Sequence, residues 1–545
     1  MPDWTYHPLR RPMGAVLGKR LSRRLAIWLV GALAQVRAGR WLVIGLGHTA
    51  PPPDAGTIVS GLRCATAVGA STGMAVAADA VRAMPALGAG LVEIGPVTPA
   101  TVEHARKILD RALVPVILRI DPDDLSAVVH AVGSHPSLVS LDDPVLRNAT
   151  ADRVRQAAAT CDTVVATTSE PSPTYAAELI AAGAAMVLAT TDCLVEAGPG
   201  WFHRSTLAYV ARRRSHHSRQ PAPALPWMAG VGLGLGMVVG GLGAAAVALG
   251  PVLLPYDQVY LGLSPRTLAS INGRLIHFLQ HDRITLAGTM VAIGILYAAL
   301  SWWGIRLGRT WARDALFASG MVGFPTLFYF FAFGYVEPIH VALAIVLFPL
   351  FVIAVWRRPN GGDLSLDVDE ADFVWRRALA GQLLMVLVGF GLVVGGLLIS
   401  YVGLTAVFVP SDLSFMNTSA QALADANHRL LSFIAHDRAG FGGALISVGV
   451  AVLLMSAWGW ARGQAWVWFT LAGGAVAGFG AALAVHLGVW YVDFWHLAPI
   501  YAGVIVTTIG LALSWGYLVA QPAAGRVGAG SATMQPSYRE VRPPC

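Results

Sequence analysis

Gly234-Leu-Gly-Met-Val-Val-Gly-Gly-Leu242 and Gly389-Phe-Gly-Leu-Val-Val-Gly-Gly-Leu397 are one apolar stretch written twice, 155 residues apart. The same shift pairs Pro255 with Pro410 and Asp257 with Asp412. It also pairs Asn272, Arg274, Leu275, Phe278, His281, Asp282 and Arg283 with Asn427, Arg429, Leu430, Phe433, His436, Asp437 and Arg438. One further residue of shift sets Tyr335, Val336, Glu337 and His340 on Tyr491, Val492, Asp493 and His496. Chance does not align so many positions in one order, so the second half of the chain is a duplication.

Outward from the repeat, eight apolar runs are long enough to cross roughly 30 Å of hydrocarbon as helices. They cover about 228–252, 284–304, 315–334, 338–356, 378–408, 439–460, 466–489 and 496–518. Four spans per copy is an even number, which keeps the copies in the same orientation, related by an axis along the membrane normal. The expected membrane half is therefore an all-α domain of eight helices in two parallel four-helix repeats. Composition agrees: 55% of the 545 residues are hydrophobic and 13% charged, with a mean hydropathy of +0.59, values that exclude a soluble, disordered or coiled-coil chain.

The formal charge of +7 comes almost wholly from arginine, Lys19 and Lys107 being the only lysines. Arg212, Arg213, Arg214, Arg219, Arg306, Arg309, Arg313, Arg357, Arg358, Arg376, Arg377 and Arg462 lie at one set of span ends, and only Arg266, Arg274, Arg283, Arg429 and Arg438 at the other. By the positive-inside rule the protein is a multi-pass protein of the cell membrane, with its N-terminal domain and C-terminal tail cytoplasmic and loops 255–283 and 410–438 outside. The expected partner is the lipid membrane, with no nucleic acid. The apolar run Leu25 to Ala34 is too short to span and has no cleavage-site pattern, so no signal peptide is expected. Cys64, Cys161, Cys193 and Cys545 form no C-x-x-C pair and imply no disulfide framework or zinc module.

Two features of the repeat bear on packing and chemistry. Gly236-x-x-x-Gly240 and Gly391-x-x-x-Gly395 offer a small-residue helix face for close packing. Near the outer surface, each copy carries His-Asp-Arg (His281, Asp282, Arg283; His436, Asp437, Arg438) just before its second span. An acid three residues ahead of a histidine (Glu337 and His340; Asp493 and His496) opens its fourth. Spacing of i, i+3 puts acid and imidazole on one helix face, where they can hold a metal or a polar ligand with an arginine fork nearby. The competing reading makes the aspartates helix caps and the arginines interfacial anchors. The expected geometry brings the two motifs of each copy together.

Residues 1–220 read as an ordinary soluble domain. Six short β-branched runs, about 64–70, 91–98, 115–121, 137–142, 163–168 and 185–191, alternate with alanine-rich helical stretches, the pattern of a parallel α/β domain. The expected organisation is an amphipathic helical segment at 1–48, the α/β domain at 49–220, repeats at 226–357 and 378–519, a cytoplasmic linker at 358–377 and a disordered tail at 520–545.

Four stretches give this half a family resemblance. Ala86-Leu-Gly-Ala-Gly-Leu-Val-Glu-Ile-Gly-Pro-Val-Thr-Pro99 resembles the second-strand signature of the class 2, quinone-linked dihydroorotate dehydrogenases. Tyr6-His-Pro-Leu-Arg-Arg-Pro12 is similar to that family's membrane-contacting segment, and Ala67-Val-Gly69 to its first strand. Ala177-Glu-Leu-Ile-Ala-Ala-Gly-Ala-Ala-Met-Val187 with Glu196-Ala-Gly-Pro-Gly200 is similar to its last strand and final helix. The resemblance implies an incomplete TIM-barrel-like fold of about six strands, FMN as cofactor and quinone as electron acceptor. If flavin binds, the implied contacts are Gly69, Ser71, Thr72, Gly95, Arg119, Thr167 and Thr168.

The departures are physical losses. Ala70-Ser71-Thr72-Gly73 stands where the family places its flavin-contacting lysine, and Arg119 stands for a second lysine. Residues 100–114 leave room for one helix where the family has two strands and its catalytic base. Thr167-Thr168 replaces a glycine pair that lets backbone amides close on a phosphate. The reading that follows is a non-catalytic, ligand-binding, sensor or accessory domain on a membrane module, with no catalytic residue and no bound cofactor expected. The alternatives are an FMN-dependent, quinone-linked oxidoreductase, with His277, His281, His340, His428, His436, His486 and His496 as candidate ligands, and a transporter. The transporter reading rests on the duplication alone, since His486 is the nearest ionisable residue to any span's middle.

Overall fold

The structure, a computed structural model, describes residues 3–139, 145–214, 223–326, 334–358 and 372–519. Three helices open the chain: α1 (Asp3–Leu17), α2 (Lys19–Gln35) and α3 (Arg37–Gly47). The last two bend by 118° about Val36.

A hairpin, β1 (Thr57–Val59) and β2 (Leu62–Cys64), precedes a curled parallel sheet. Its strands are β3 (Val68–Thr72), β4 (Leu91–Val97), β5 (Val116–Ile120), β6 (Val165–Thr168) and β7 (Met186–Ala189), in the order β5-β4-β3-β7-β6. Successive side chains on a strand point to opposite faces. One face, with Val68, Val92, Ile94, Val116 and Val187, joins the core that the surrounding helices cover. These helices are α4 (Ala77–Ala86), α5 (Val102–Leu109), α6 (Leu125–Val132), α7 (Ala151–Ala158), α8 (Pro173–Ala181), α9 (Thr191–Ala197) and α10 (Trp201–Arg214). The alternating residues Leu91, Ile117, Val165, Met186 and Leu188 form a second cluster, closed by Val59 and Cys64 of the hairpin.

Among the described residues the parallel sheet has five strands where six were expected. Of the run expected at 137–142, residues 137–139 are described and Leu138 forms a single parallel bridge to Val116, as Leu146 does to Ala166; residues 140–144 lie outside the described part. Cys64, expected to open the first sheet strand, belongs to the hairpin instead. Residues 100–114 hold α5, and β4 pairs directly with β5.

The membrane half contains α11 (Ala224–Leu249), α12 (Pro255–Leu261), α13 (Pro265–Ile271), α14 (Leu275–Ala299), α15 (Thr310–Thr326), α16 (Pro338–Trp356), α17 (Phe373–Leu404), α18 (Pro410–Met416), α19 (Ala420–Ala426), α20 (Leu430–Trp458), α21 (Ala465–Gly488) and α22 (Phe494–Leu518). Among the described residues, seven helices are long and apolar enough to cross a bilayer: α11, α14 with its continuation to Leu307, α16, α17, α20, α21 and α22. Of the run expected at 315–334, α15 describes the part as far as Thr326; residues 327–333 lie outside the described part. The most apolar windows of α14 and α20 are 72% and 67% buried, against 22–28% for the other five, so this pair forms the centre of the bundle.

Two expectations about the repeat are corrected. The second spans begin at Leu275 and Leu430, nine residues earlier than expected, because each is entered through two short helices, the second of each pair capped by the Ser264 or Ser419 hydroxyl. His-Asp-Arg therefore lies about two turns inside each helix, and the aspartates are not caps. The close backbone approaches are also not made by the Gly-x-x-x-Gly faces. A Cβ on Gly234 would stand 2.5 Å from Ala298 N, and one on Gly389 2.5 Å from Leu453 N. Gly241 and Gly396 are equally tight against Ala287 O and Gly442 O, at 2.8 and 2.6 Å. Gly391 faces open space, and Gly236 meets only the Leu347 side chain. A spacing of seven, two helical turns, keeps each working pair on one face.

Candidate functional site

In the α/β half, the positions where strands end converge on one carboxylate. Glu93, fully buried on β4, receives Arg147 Nη1 at 2.8 Å and Nη2 at 2.6 Å. Arg119 Nη1 lies 3.8 Å from Glu93 Oε2, the oxygen that Arg147 Nη1 also reaches. The Ser71 hydroxyl donates to Glu93, and Arg119 donates to Gly95 O. A side chain at Gly95 would meet Arg119 O at 2.6 Å, so glycine lets β4 and β5 close around the network. The flanking threonines are taken up by backbone: Thr167 Oγ1 accepts from Asn148 N at 3.0 Å and Thr168 Oγ1 from Glu170 N at 3.0 Å. Thr72 Oγ1 donates weakly to Glu93 O at 3.4 Å, and Gly69 packs against Leu91 O.

The structure thus brings together Ser71, Gly95 and Arg119 of the residues named from sequence, around two that were missed, Glu93 and Arg147. A charge inside the apolar run Leu91-Val-Glu-Ile94 was the signal for Glu93. Its partner could not be read, since a bidentate pair across 54 residues has no local pattern. Nearby, burial pushes the thiols of Cys64 and Cys193 up to about 11 and about 12.

The α/β half is fastened to the bundle by the N-terminal helices. Trp458 Nε1, at the end of α20, donates to Gly45 O at 2.8 Å. The His48 ring lies 5.6 Å from that indole and 6.0 Å from the ring of His203. Asp3 pairs with Arg204, whose guanidinium sits 5.2 Å over Trp375 at the start of α17.

At the opposite end of α20 lies a reciprocal set of contacts between the copies. Arg283 Nε donates to Asp437 Oδ2 at 2.9 Å, and Arg438 Nε to Asp282 Oδ2 at 3.1 Å. Each arginine also donates to a carbonyl ending the preceding loop, Val252 O or Val407 O. Each reaches a second carboxylate, Asp257 at 3.5 Å and Asp412 at 2.6 Å. Those carboxylates accept from Tyr335 and Tyr491. Asn272 and Asn427 complete the exchange, donating to Met416 O and Leu261 O at 2.8 Å each. Burial first, and then the adjacent Asp412, hold the Tyr491 phenol above its ordinary range.

The histidines sit on this frame, and their pairing differs from the expected one. His281 does not join Glu337 and His340 of its own copy; with His486 and His496 it forms one cluster, and Glu337, His340 and His436 form the other. In each, the candidate ligand atoms all lie within 4.8 Å of one another. The motifs meet across the copies because α14 and α20 are packed together at the centre, with each one's His-Asp-Arg facing the other copy. His486, one of the seven candidate ligand histidines and the nearest ionisable residue to any span's middle, belongs to the first cluster. Asp493 is removed from the site: its Oδ1 accepts from His496 N at 2.7 Å and caps α22. Its counterpart Glu337, one methylene longer, reaches His340 Nδ1 at 2.8 Å and accepts from Tyr256 at 3.1 Å. His277 and His428 are exposed and lie in neither cluster.

Beside the second cluster is a cavity of about 90 Å³ lined by Met237, Met290, Leu343 and Leu347, with His340, His436, Tyr297 and Ser447 supplying polar atoms. That volume holds about three waters and is smaller than the roughly 150 Å³ that accepts a benzene ring. No family model and no curated protein matches the chain.

Proposed function

We propose that this chain is a multi-pass protein of the cell membrane in which the binding chemistry sits at the outer end of a duplicated bundle. In this reading the α/β half is a non-catalytic accessory domain held against the cytoplasmic end. The observation that carries it is the Glu93, Arg119, Arg147 and Ser71 network. It consumes the charged and hydroxyl groups at the strand ends, where a parallel α/β domain otherwise places its ligand contacts. The threonines that could have faced a phosphate are bonded to loop amides.

The reciprocal contacts between copies support two four-helix units in the same orientation, with α15 as the third helix of the first unit. Orientation follows from arginine at the end that carries the α/β half. Arg306 lies 4.5 Å from the ring of Trp302 and 5.6 Å from that of Trp227, and Arg309 5.7 Å from that of Trp466. Such an arginine and tryptophan belt suits the cytoplasmic interface.

The test is the visible spectrum of the full chain purified in mild detergent, joined to topology mapping with single cysteines at Ser218 and Ser264. The reading expects no flavin absorbance and labelling from outside only at position 264. Bound flavin, or labelling from outside at 218, overturns it.

A further inference from the structure

We propose that His281, His486 and His496 form a three-imidazole site for one divalent transition-metal ion of the zinc class, with a fourth coordination position open. The argument begins with which ring nitrogens carry hydrogen. His486 Nδ1 lies 2.7 Å from Ala482 O, a group that only accepts, so this nitrogen is the donor. His496 Nδ1 lies 3.2 Å from Tyr491 Oη, whose own proton goes to Asp412, and 3.3 Å from Ser411 Oγ; a hydrogen on Nδ1 is accepted by either oxygen and leaves Nε2 free for an ion. His281 Nδ1 stands 3.0 Å from the Asp282 carboxylate in an ion-pair contact without hydrogen-bond geometry, so the hydrogen of this ring can sit on either nitrogen.

With Nδ1 of His486 the donor, Nε2 of that neutral ring is a bare lone pair turned toward His281. His281 Nε2 and His486 Nε2 face one another at 3.0 Å. A hydrogen on His281 Nε2, or a cation shared by the two nitrogens, satisfies that contact. Two nitrogens bound at roughly 2.0–2.1 Å in tetrahedral geometry stand about 3.3 Å apart, so the observed spacing suits ligands of one ion.

The surroundings match what such ligands need. Histidine ligands are oriented by a carboxylate or carbonyl on the far nitrogen. Here Ala482 O takes that place for His486, while the Asp282 carboxylate, fixed by Arg438 Nε from the other copy at 3.1 Å, stands 3.0 Å from His281 Nδ1. Charge points the same way. In the frame around the cluster four carboxylates, Asp257, Asp282, Asp412 and Asp437, share two guanidinium groups, Arg283 and Arg438. A buried excess of anions is costly without further positive charge, which a dication supplies.

Comparison between the copies explains why this cluster is singled out. The repeat offset places a phenylalanine, Phe330, opposite His486, so the third imidazole occurs once. The other cluster has Glu337 in its place, already engaged with the His340 Nδ1. Three imidazoles with a free position is a ligand set used by zinc sites that bind water or substrate.

The test uses the full chain in detergent, stripped with chelator and titrated with Co2+, in a His340→Ala background that dismantles only the second cluster. One equivalent of Co2+ with the visible absorption of a four- or five-coordinate ion is expected, displaced by Zn2+. Adding His486→Phe, the residue the other copy carries, should remove that equivalent. Should His340→Ala not fold, the same subtraction is made in the wild-type chain, where His486→Phe or His496→Gln must each remove one equivalent. Absence of Co2+ and Zn2+ binding at micromolar concentration, or binding undiminished by both substitutions, overturns the site.

Discussion

Arg283 on α14 and Asp437 on α20 lie 2.9 Å apart across the centre of the bundle, and Arg438 and Asp282 repeat the contact at 3.1 Å with the helices exchanged. Neither copy completes its own charge pairing, so each unit's stability depends on the other. Removing one member of a buried pair leaves an uncompensated charge, at a cost of about 3–5 kcal/mol. Arg283→Met should therefore lower the unfolding free energy of the detergent-solubilised chain by that amount. The double variant Arg283→Met with Asp437→Leu should recover a large part of it. Equal and additive losses in a double-mutant cycle would contradict the pairing.

The glycines separate by position and not by motif. Gly389→Ala drives a methyl into the α20 backbone at Leu453, and overpacking of this kind costs roughly 1–3 kcal/mol. Gly391→Ala, two residues on, meets nothing and should be neutral or stabilising by up to about 1 kcal/mol from helix propensity. Thermal denaturation of the two variants side by side decides the matter.

In the α/β half, Glu93 is fully enclosed while the Arg119 and Arg147 side chains are 34% and 44% exposed. Arg147→Ala strands a buried carboxylate and should cost about 3–5 kcal/mol. Glu93→Gln frees two arginines that can turn to water and should cost only about 1–3 kcal/mol. Chemical denaturation followed by the fluorescence of Trp201, buried in the same half, measures both; the reverse ranking would show that Glu93 is not the centre of the network.

Burial, then nearby positive charge, lowers the pKa of His48 to about 4, so the folded protein favours its neutral ring. Between pH 6.5 and about 4 the unfolded chain binds the proton and the folded chain does not. Its contribution to stability is therefore whole above pH 6.5 and is lost as pH falls toward 4. His48 has a left-handed backbone, φ 49°, which asparagine tolerates. His48→Asn should flatten this part of the melting temperature profile between pH 7 and 5. An unchanged slope would remove His48 from the acid response.

Thiol reactivity should divide in the same graded way. In a Cys545→Ser chain at pH 8, Cys161, half-buried, should react with maleimide, while Cys64 and Cys193, pushed to about 11 and about 12, stay unmodified until the domain is unfolded. Mass spectrometry of the labelled chain reads this directly.

What could be read from sequence followed the range of the interaction concerned. The duplication, the apolar helices and most of the parallel strands have local periodicity, and the residues His281, Asp282, Arg283, His340, His436, Asp437, Arg438 and His496 announced themselves by recurring. Their partners did not. Sequence spacing suggested that each copy folds its own two motifs together, yet the central packing of α14 on α20 crosses them. Nothing in the order of residues distinguishes the crossed from the uncrossed arrangement. The starts of α14 and α20 were placed too late because Leu275 to Gln280 and Leu430 to Ala435 carry polar residues beside the apolar ones that the short helices cover. Arg147 was invisible because its partner, Glu93, is distant in the chain and the sequence before it shows no periodicity.

Trp458 gives the long helix that ends on it a mechanical meaning. The 29 residues of α20 make a strut about 43 Å long. One end is pinned through Asp437 and Arg438 into the charge frame, and the other is tied by Trp458 to Gly45 and His48. No flexible joint separates those anchor points. A tilt forced on the strut at the histidine end must therefore be met by an opposing movement where the α/β half is seated.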